Sequence, residues 1–189
     1  MERYIGAAQT IVDLALPAEP ITAAHFRTRE LIYTKIPDSI VSEKEASEIV
    51  LSNFLSQAYR RPLIDEELLV ATQQFTLARS NGLSYESSIK QVIQAALISP
   101  KFLLRVESGR ESLVSYQINE WELASRLSYF LWATMPDREL FDLAAEGRLS
   151  DPVVMEQQVS RMLRDEKANA LGDVFAAQWL GFHNVGTRI

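Results

Sequence analysis

Only a few side chains in this 189-residue chain have the chemistry to bind or transform a ligand. His25 and His183 are the two imidazoles, and either could ligate a metal or a haem iron. Neither has a second donor three or four residues away, the spacing that puts two ligands on one helix face. A capping or surface histidine is the simpler reading. Arg126 follows Glu122 by one helical turn, an order that steadies an exposed helix by about 0.2–0.5 kcal/mol. Enclosed instead, its planar guanidinium would grip a carboxylate from a ligand or a neighbouring domain. Asp137 stands before a helical stretch, where a carboxylate caps the first turn; an acid in a site is its second reading. Trp121, Trp132 and Trp179 could stack on sugar rings along a cleft, yet Trp at helical spacing among Leu and Phe is also what a core requires. Arg60 and Arg61 close a helical segment, where cations complement the dipole, and Arg61-Pro62 could clamp a loop through backbone carbonyls. Arg126, Asp137 and Trp179 are therefore the ligand-site candidates. With no Gly-rich phosphate loop, no Ser/His/Asp set in recognisable local context and no carboxylate pair backed by histidine, the sequence singles out no catalytic, cofactor-binding or metal-binding residue.

The elements that would position these side chains read as helices throughout. Residues 119–137 are the densest apolar stretch. Asn119 and Glu122 form a capping box, and Ile118 with Leu123 a hydrophobic staple. Leu123, Leu127, Phe130 and Leu131 share one face at helical spacing, and Trp121, Ser125, Ser128 and Trp132 make a neighbouring stripe with room for another helix. Pro136 ends the segment. This helix is expected to be enclosed, with the other helices lying against it and Leu127→Ala costing about 2–5 kcal/mol.

Before it, residues 2–16 show a helical face of Tyr4, Ala8, Ile11, Val12 and Ala15. Residues 17–41 are expected to be the loosest part, with 22–33 ambiguous between helix and extended chain. Ser42 with Glu45 opens a helix reaching Tyr59 with Ile49, Phe54 and Ala58 inward; Pro62 closes it. Asp65, Glu66 and Glu67 crowd the first turn of the next helix, favourably for its dipole, and Asn81-Gly82 stops it. Ser84 caps residues 85–98, and Ser99-Pro100 starts a short helix. The polar stretch 108–116 is the expected boundary between halves. Asp137, Asp151 and Asp165 each precede a further helix, the last with Leu171, Val174, Phe175, Gln178 and Phe182 on one face. The expected fold class is all-α, an irregular, orthogonally packed bundle of about eight helices around the central apolar one. Its parts are 1–41 (helix and connection), 42–108 and 116–189, the last two sharing one core.

Composition narrows the partners. Hydrophobic residues are 47% and charged residues 23% of the chain, which suits a globular fold rather than disorder. A net charge of −6 with no basic cluster beyond Arg60-Arg61 argues against nucleic acid or an anionic membrane surface. No apolar run is long enough for a membrane span, and the first residues lack a signal-peptide pattern. With no Cys, these residues hold no disulfide, thiolate metal site or covalent haem attachment.

Several phrases are more specific than generic helix: Tyr59-Arg60-Arg61-Pro62-Leu63, then Ala96-Leu97-Ile98-Ser99-Pro100-Lys101-Phe102-Leu103, then Glu122 to Trp132 with Met135-Pro136-Asp137, then Arg161-Met162-Leu163 and Gln178-Trp179-Leu180-Gly181. In this order, from about Ser42 onward, the chain resembles the paired helical domains of unknown function found in large planctomycete-type cytochrome c proteins. The resemblance implies an exported or cell-surface setting, and a CxxCH haem c segment following in the same polypeptide, of which this chain would be a fragment. Family members often carry Cys near the positions of Lys35 and Ala46; neither is present, so that disulfide is not available here. No activity or catalytic residue comes with the resemblance. The expected role is a non-catalytic scaffold or interaction module that holds a haem c domain against its neighbours. The alternative is an enzymatic or carbohydrate-handling domain with a site between the halves, near Arg126, Asp137 and Trp179. Non-covalent haem binding through His25 or His183 is a third reading. The residues near the end, 182–189, are expected to expose apolar surface.

Overall fold

The computed structural model describes residues 2–105, 117–176 and 179. The expected boundary stretch at 108–116, the apolar surface expected at 182–189, His183, Gln178 and Phe182 lie outside the described residues. Every long described element is helical and no strand occurs among the described residues, so the all-α expectation holds. The chain divides into two compact units, Met1–Val106 and Glu107–Ile189.

The first unit carries α1 (Glu2–Ala15), α2 (Ala23–Ile32), α3 (Glu43–Tyr59), α4 (Asp65–Ser80), α5 (Tyr85–Leu97) and the short α6 (Pro100–Leu103). Local signals set the helix ends. Ser42 Oγ accepts from the Glu45 N–H at 3.2 Å while Glu45 Oε2 accepts from the Ser42 N–H at 2.9 Å, a complete capping box. At the far end of α4, Gly82 adopts φ +86°. There the Leu83 N–H reaches Ala78 O at 3.2 Å and the Gly82 N–H reaches Arg79 O at 3.0 Å, a Schellman stop.

The core joins Val50, Leu51 and Leu55 of α3 to Phe75 of α4 and to Ile89, Val92 and Ile93 of α5. α1 adds Val12 against it. Its Tyr4 and Ile11, expected inward, are exposed, because the helix turns the Ala8–Val12 side to the core. In α3 the inward stripe is likewise rotated from the expected one. Ile49 is 44% exposed while Ser47 is fully buried, its hydroxyl donating to Lys44 O at 2.7 Å.

Residues 17–41 are more ordered than expected. Thr22 caps α2, its hydroxyl oxygen accepting from the His25 N–H at 3.2 Å. Tyr33 is buried in the core, and Arg29 is paired with Glu86 of α5. α2 buries no residue completely, so this ion pair and the Tyr33 anchor fix the segment. Neither is visible in local periodicity.

The second unit carries α7 (Glu120–Trp132), α8 (Arg138–Ala145), α9 (Pro152–Arg164), a 3₁₀ turn (Glu166–Ala168) and a π-helical turn (Leu171–Ala176). α7 packs against each of the others, with the predicted capping box at Asn119 and Glu122 in place. The enclosed face is Ala124, Ser128, Leu131 and Trp132, while Leu123 and Leu127 are half-buried and Phe130 is 54% exposed. The enclosed face takes Leu131 from the Leu stripe and Ser128 and Trp132 from the other, with Leu123 and Leu127 packed at its edge. Ser128 makes this tolerable by donating its hydroxyl to Thr134 O at 2.7 Å. Trp132 donates its indole N–H to Met162 O at 2.9 Å, so both buried polar groups are satisfied. α7 ends with Ala133 in the left-handed region at φ +52°, three residues before Pro136. Asp165 caps only the 3₁₀ turn. Val174 and Phe175, expected on an inward face, are 42% and 48% exposed.

Candidate functional site

The strongest concentration of polar interactions in the first unit begins where α3 stops. The chain closes α3 with a Schellman pattern: the Arg61 N–H reaches Ser56 O at 3.1 Å and the Arg60 N–H reaches Gln57 O at 3.0 Å. Glycine is the usual residue at the left-handed position, yet Arg60 occupies it at φ +60° and is only 5% exposed. Its side chain offsets the strain. Nη2 donates to Lys101 O at 2.8 Å and Leu104 O at 3.0 Å, and Nη1 to Ala58 O and Phe102 O, both at 3.2 Å. One guanidinium thus holds the carbonyls that α6 leaves unpaired at its end. Arg61 makes one contact of the expected carbonyl clamp, Nη1 to Pro62 O at 3.0 Å, and Arg60 makes four.

Arg61 turns the other way, onto Glu67 in the first turn of α4. Its Nη1 meets Oε2 at 2.9 Å and its Nη2 meets Oε1 at 2.8 Å. Lys101 Nζ donates to Oε1 at 2.5 Å and the Ile64 N–H to Oε2 at 3.2 Å. Four donors on two oxygens saturate a carboxylate. The Glu67 side chain is 5% exposed. The Arg61 guanidinium, with Lys101 and the Ile64 N–H, overrides the effect of burial and holds its carboxyl at about 2. Sequence reasoning gave Glu67 only a dipole role; its partners come from a loop and from α6. The one local signal was Arg61 just before Pro62 and six residues ahead of a carboxylate at the third helical position.

Beside Glu67 opens a cleft of about 320 Å³. Leu55, Ala71, Val92 and Ala96 floor it, and Lys101, Ser99 and the Tyr59 ring stand at one end. Lys101 Nζ lies 5.8 Å from the centre of that ring, within reach of a cation–π attraction. A larger open groove of about 630 Å³ runs along α3 and α4, with Lys44 and Glu48 at 3.9 Å in its wall. That pair is exposed, and such pairs contribute little.

In the second unit Asp137 caps α8, accepting from the Leu140 N–H at 3.0 Å. It also receives Arg161, Nη1 to Oδ2 at 2.7 Å and Nη2 to Oδ1 at 3.2 Å. Burial pushes its carboxyl up, but Arg161, the Leu140 N–H and the charge of Lys167 together bring it below the usual aspartate range. Arg161 also donates Nε to Gln158 Oε1 at 2.8 Å, and Gln158 Nε2 donates to Glu139 Oε1 at 2.8 Å. Arg161 and Lys167 sit 5.4 and 4.4 Å from the Trp132 ring centre. This network ties α8 and α9 to α7 and leaves Asp137 no proton to donate near neutrality.

The three Trp residues have three different surroundings. Trp132 is buried; Trp121 is half-buried against Phe141 at 5.4 Å between ring centres; Trp179 is 77% exposed. Trp179 stacks on Phe175 at 6.3 Å and 12° between planes, and Phe175 meets Phe130 edge-on at 5.5 Å. Phe130, Phe175 and Trp179 thus form an exposed aromatic ladder, and Arg126, exposed, lies one turn before Phe130 on α7. Asp137 engages Arg161, and Trp179 engages Phe175. His25 accepts from the Ile21 N–H on Nδ1 at 3.3 Å, a local capping contact. Among the described residues no group of three His, Asp or Glu side chains is placed to hold a metal ion, and no helix is long and apolar enough to cross a membrane.

Comparisons with curated proteins and with solved structures give no match. Family models do match: residues 46–107 fit PSD5, a protein of unknown function (DUF1595), and residues 118–188 fit PSD4, a protein of unknown function (DUF1592). The first match falls almost wholly on the helices around Glu67, and the second spans the helices around Asp137 and the aromatic ladder, so the polypeptide pairs two domains of unknown function.

Proposed function

We propose that this chain is a non-catalytic helical scaffold and interaction module, joining neighbouring domains of a larger exported polypeptide that carries haem c in another segment. The observation that carries this reading is the aromatic ladder Phe130–Phe175–Trp179, which stands exposed on the second unit. Large aromatic side chains grouped at a surface are what interface anchors require. Two carboxylates held below their ordinary range support it from the other side. Glu67 and Asp137 are both consumed in ion pairs that hold helices together.

The test mixes the purified chain with a separately purified haem c domain from a polypeptide containing both, and follows association by sedimentation. Association weakened about tenfold or more by Trp179→Ala, as for a central aromatic anchor, with an unchanged melting curve, is the expected result. No association at high micromolar concentration, or association indifferent to both Trp179→Ala and Phe130→Ala, refutes it. Haem added to the chain alone is expected to give no Soret shift. A shift abolished by replacing His25 and His183 with Ala would favour direct haem binding instead.

The second reading, a carbohydrate-handling surface, draws on the same ladder, since the outer face of Trp179 is open to stack on a sugar ring. Quenching or blue-shift of Trp fluorescence by soluble oligosaccharides, lost in Trp179→Ala, would move the assignment to it.

A further inference from the structure

We infer that the cleft between α3, α4 and α5 is a binding site for a small apolar molecule ending in a carboxylate, received by Lys101 and Ser99. The argument is one of remaining valence. Glu67, the carboxylate at the cleft end, already accepts four hydrogen bonds, so it has no lone pair left for a ligand donor. Lys101 is in the opposite position. Its ammonium has three donors, one of which goes to Glu67, and its side chain is 49% exposed. Ser99 Oγ accepts from the Lys101 N–H at 3.3 Å and keeps its own proton to give. The polar end of the cleft therefore offers donors and asks for an acceptor.

Charge selects among acceptors. The ammonium of Lys101 makes its strongest hydrogen bond to an anionic acceptor, which favours a carboxylate over a neutral carbonyl. Glu66 also borders the cleft, so Arg61 and Lys101 are balanced by Glu66 and Glu67 and this end is neutral before a ligand arrives. The remainder of the cleft is apolar, floored by Leu55, Ala71, Val92 and Ala96. At about 320 Å³ it is at the small end of ligand pockets, the size of a single ring or a short alkyl chain. The surrounding positions are held from both sides, because the Arg60 clamp fixes α6 and Arg61 fixes Glu67.

The probe is 3-phenylpropionate, with 3-phenylpropanamide as its uncharged counterpart, titrated into the ¹⁵N-labelled chain and followed by backbone resonances. Saturable shifts at Val70, Ala95 and Lys101 are expected. The amide should bind about tenfold more weakly, the cost of one charge-assisted hydrogen bond. Lys101→Met should weaken the acid about tenfold by the same reasoning, and Lys101→Arg should restore it. Ala95→Phe, which fills the cleft from α5 without touching the ion pairs, should abolish binding of both probes. Shifts that do not saturate, equal affinity for acid and amide, or acid binding indifferent to Lys101→Met and Ala95→Phe would each overturn the assignment.

Discussion

Replacing Glu67 by Gln keeps the shape of the side chain and removes its charge, which makes the role of this residue measurable. In the folded chain its carboxyl lies at about 2 instead of its ordinary 4.5. At about 1.4 kcal/mol per unit of pKa, that difference is worth about 3 kcal/mol of stability at neutral pH. The sign follows from the direction. A carboxylate with a depressed folded pKa contributes fully above its unfolded pKa, and the contribution is lost as pH falls toward the folded value. The gap between wild type and Glu67→Gln should therefore be about 3 kcal/mol at pH 7, smaller at pH 4, and about 1 kcal/mol at pH 3. The side chain is 5% exposed, so little of this is lost to solvent screening, although Arg61 and Lys101 are themselves 37% and 49% exposed and relax into water once unpaired.

The assay is urea unfolding followed through resonances of Val92 and Ile93 in α5. All three Trp residues belong to the second unit, so their fluorescence would not report on this site. A gap below about 0.5 kcal/mol at pH 7, the usual size for a surface ion pair, would refute the claim that Glu67 is a buried hub. So would a gap that stays constant between pH 7 and pH 3.

Four further outcomes are expected. Arg60→Gly relieves a left-handed residue but abandons four carbonyls, one buried and three part-buried, so it should destabilise by about 1–3 kcal/mol and speed amide exchange at 101–104; a neutral or raised stability would show that backbone strain dominates. Ala133→Gly meets the same φ at an exposed position with no side-chain clamp and should raise stability by about 0.5–1 kcal/mol, read as a higher melting temperature. Leu131→Ala, in the enclosed face of α7, should cost about 2–5 kcal/mol, while half-buried Leu127→Ala should cost clearly less; the reverse ranking in a denaturation series would show that Leu127 lies deeper in the core than Leu131. Asp137→Asn keeps a good cap but loses the Arg161 charge pair, so it should destabilise by about 1 kcal/mol above pH 4, with the difference shrinking as pH falls below the ordinary aspartate pKa, checked by urea midpoints.

Helix ends were legible in the sequence because capping is a conversation among neighbours. Ser42 with Glu45, Asn119 with Glu122, and Asp137 before α8 all perform the bonds their types announce. The direction each helix faces was less legible. Leu127 and Ser128 are adjacent, about 100° apart around the axis, and periodicity rates the Leu stripe as the more apolar. What decides is close approach. α7 is packed against α8, α9 and the turns that follow; small Ala124 and Ser128 sit in that contact, Leu131 and Trp132 fill the space beside them, and Leu123 and Leu127 pack at its edge. The same logic put Ile49 outside and Ser47 inside α3. Arg60 was hardest to read, because three of its four carbonyls are 41–44 residues away, and Glu67 in part, because Lys101 is 34 residues away although Arg61 is only six. Of the ligand-site candidates, Asp137 was recognisable as a cap, but its Arg161 partner came from α9.

The two carboxylates with the richest partners are not placed to move protons. A residue that moves protons near neutrality needs a pKa close to the ambient pH and a lone pair or proton free to exchange. Glu67 has neither: its carboxyl is at about 2 and its four acceptor positions are taken. Asp137 is likewise held below its usual range, by a bidentate guanidinium and a backbone N–H. In both cases the pKa falls because the charged form is stabilised, whereas a general acid requires the opposite shift. The ionic groups therefore fix geometry, and what they leave for a ligand is position and charge: the spare donors of Lys101 over an apolar floor in one unit, and an exposed ladder of rings in the other.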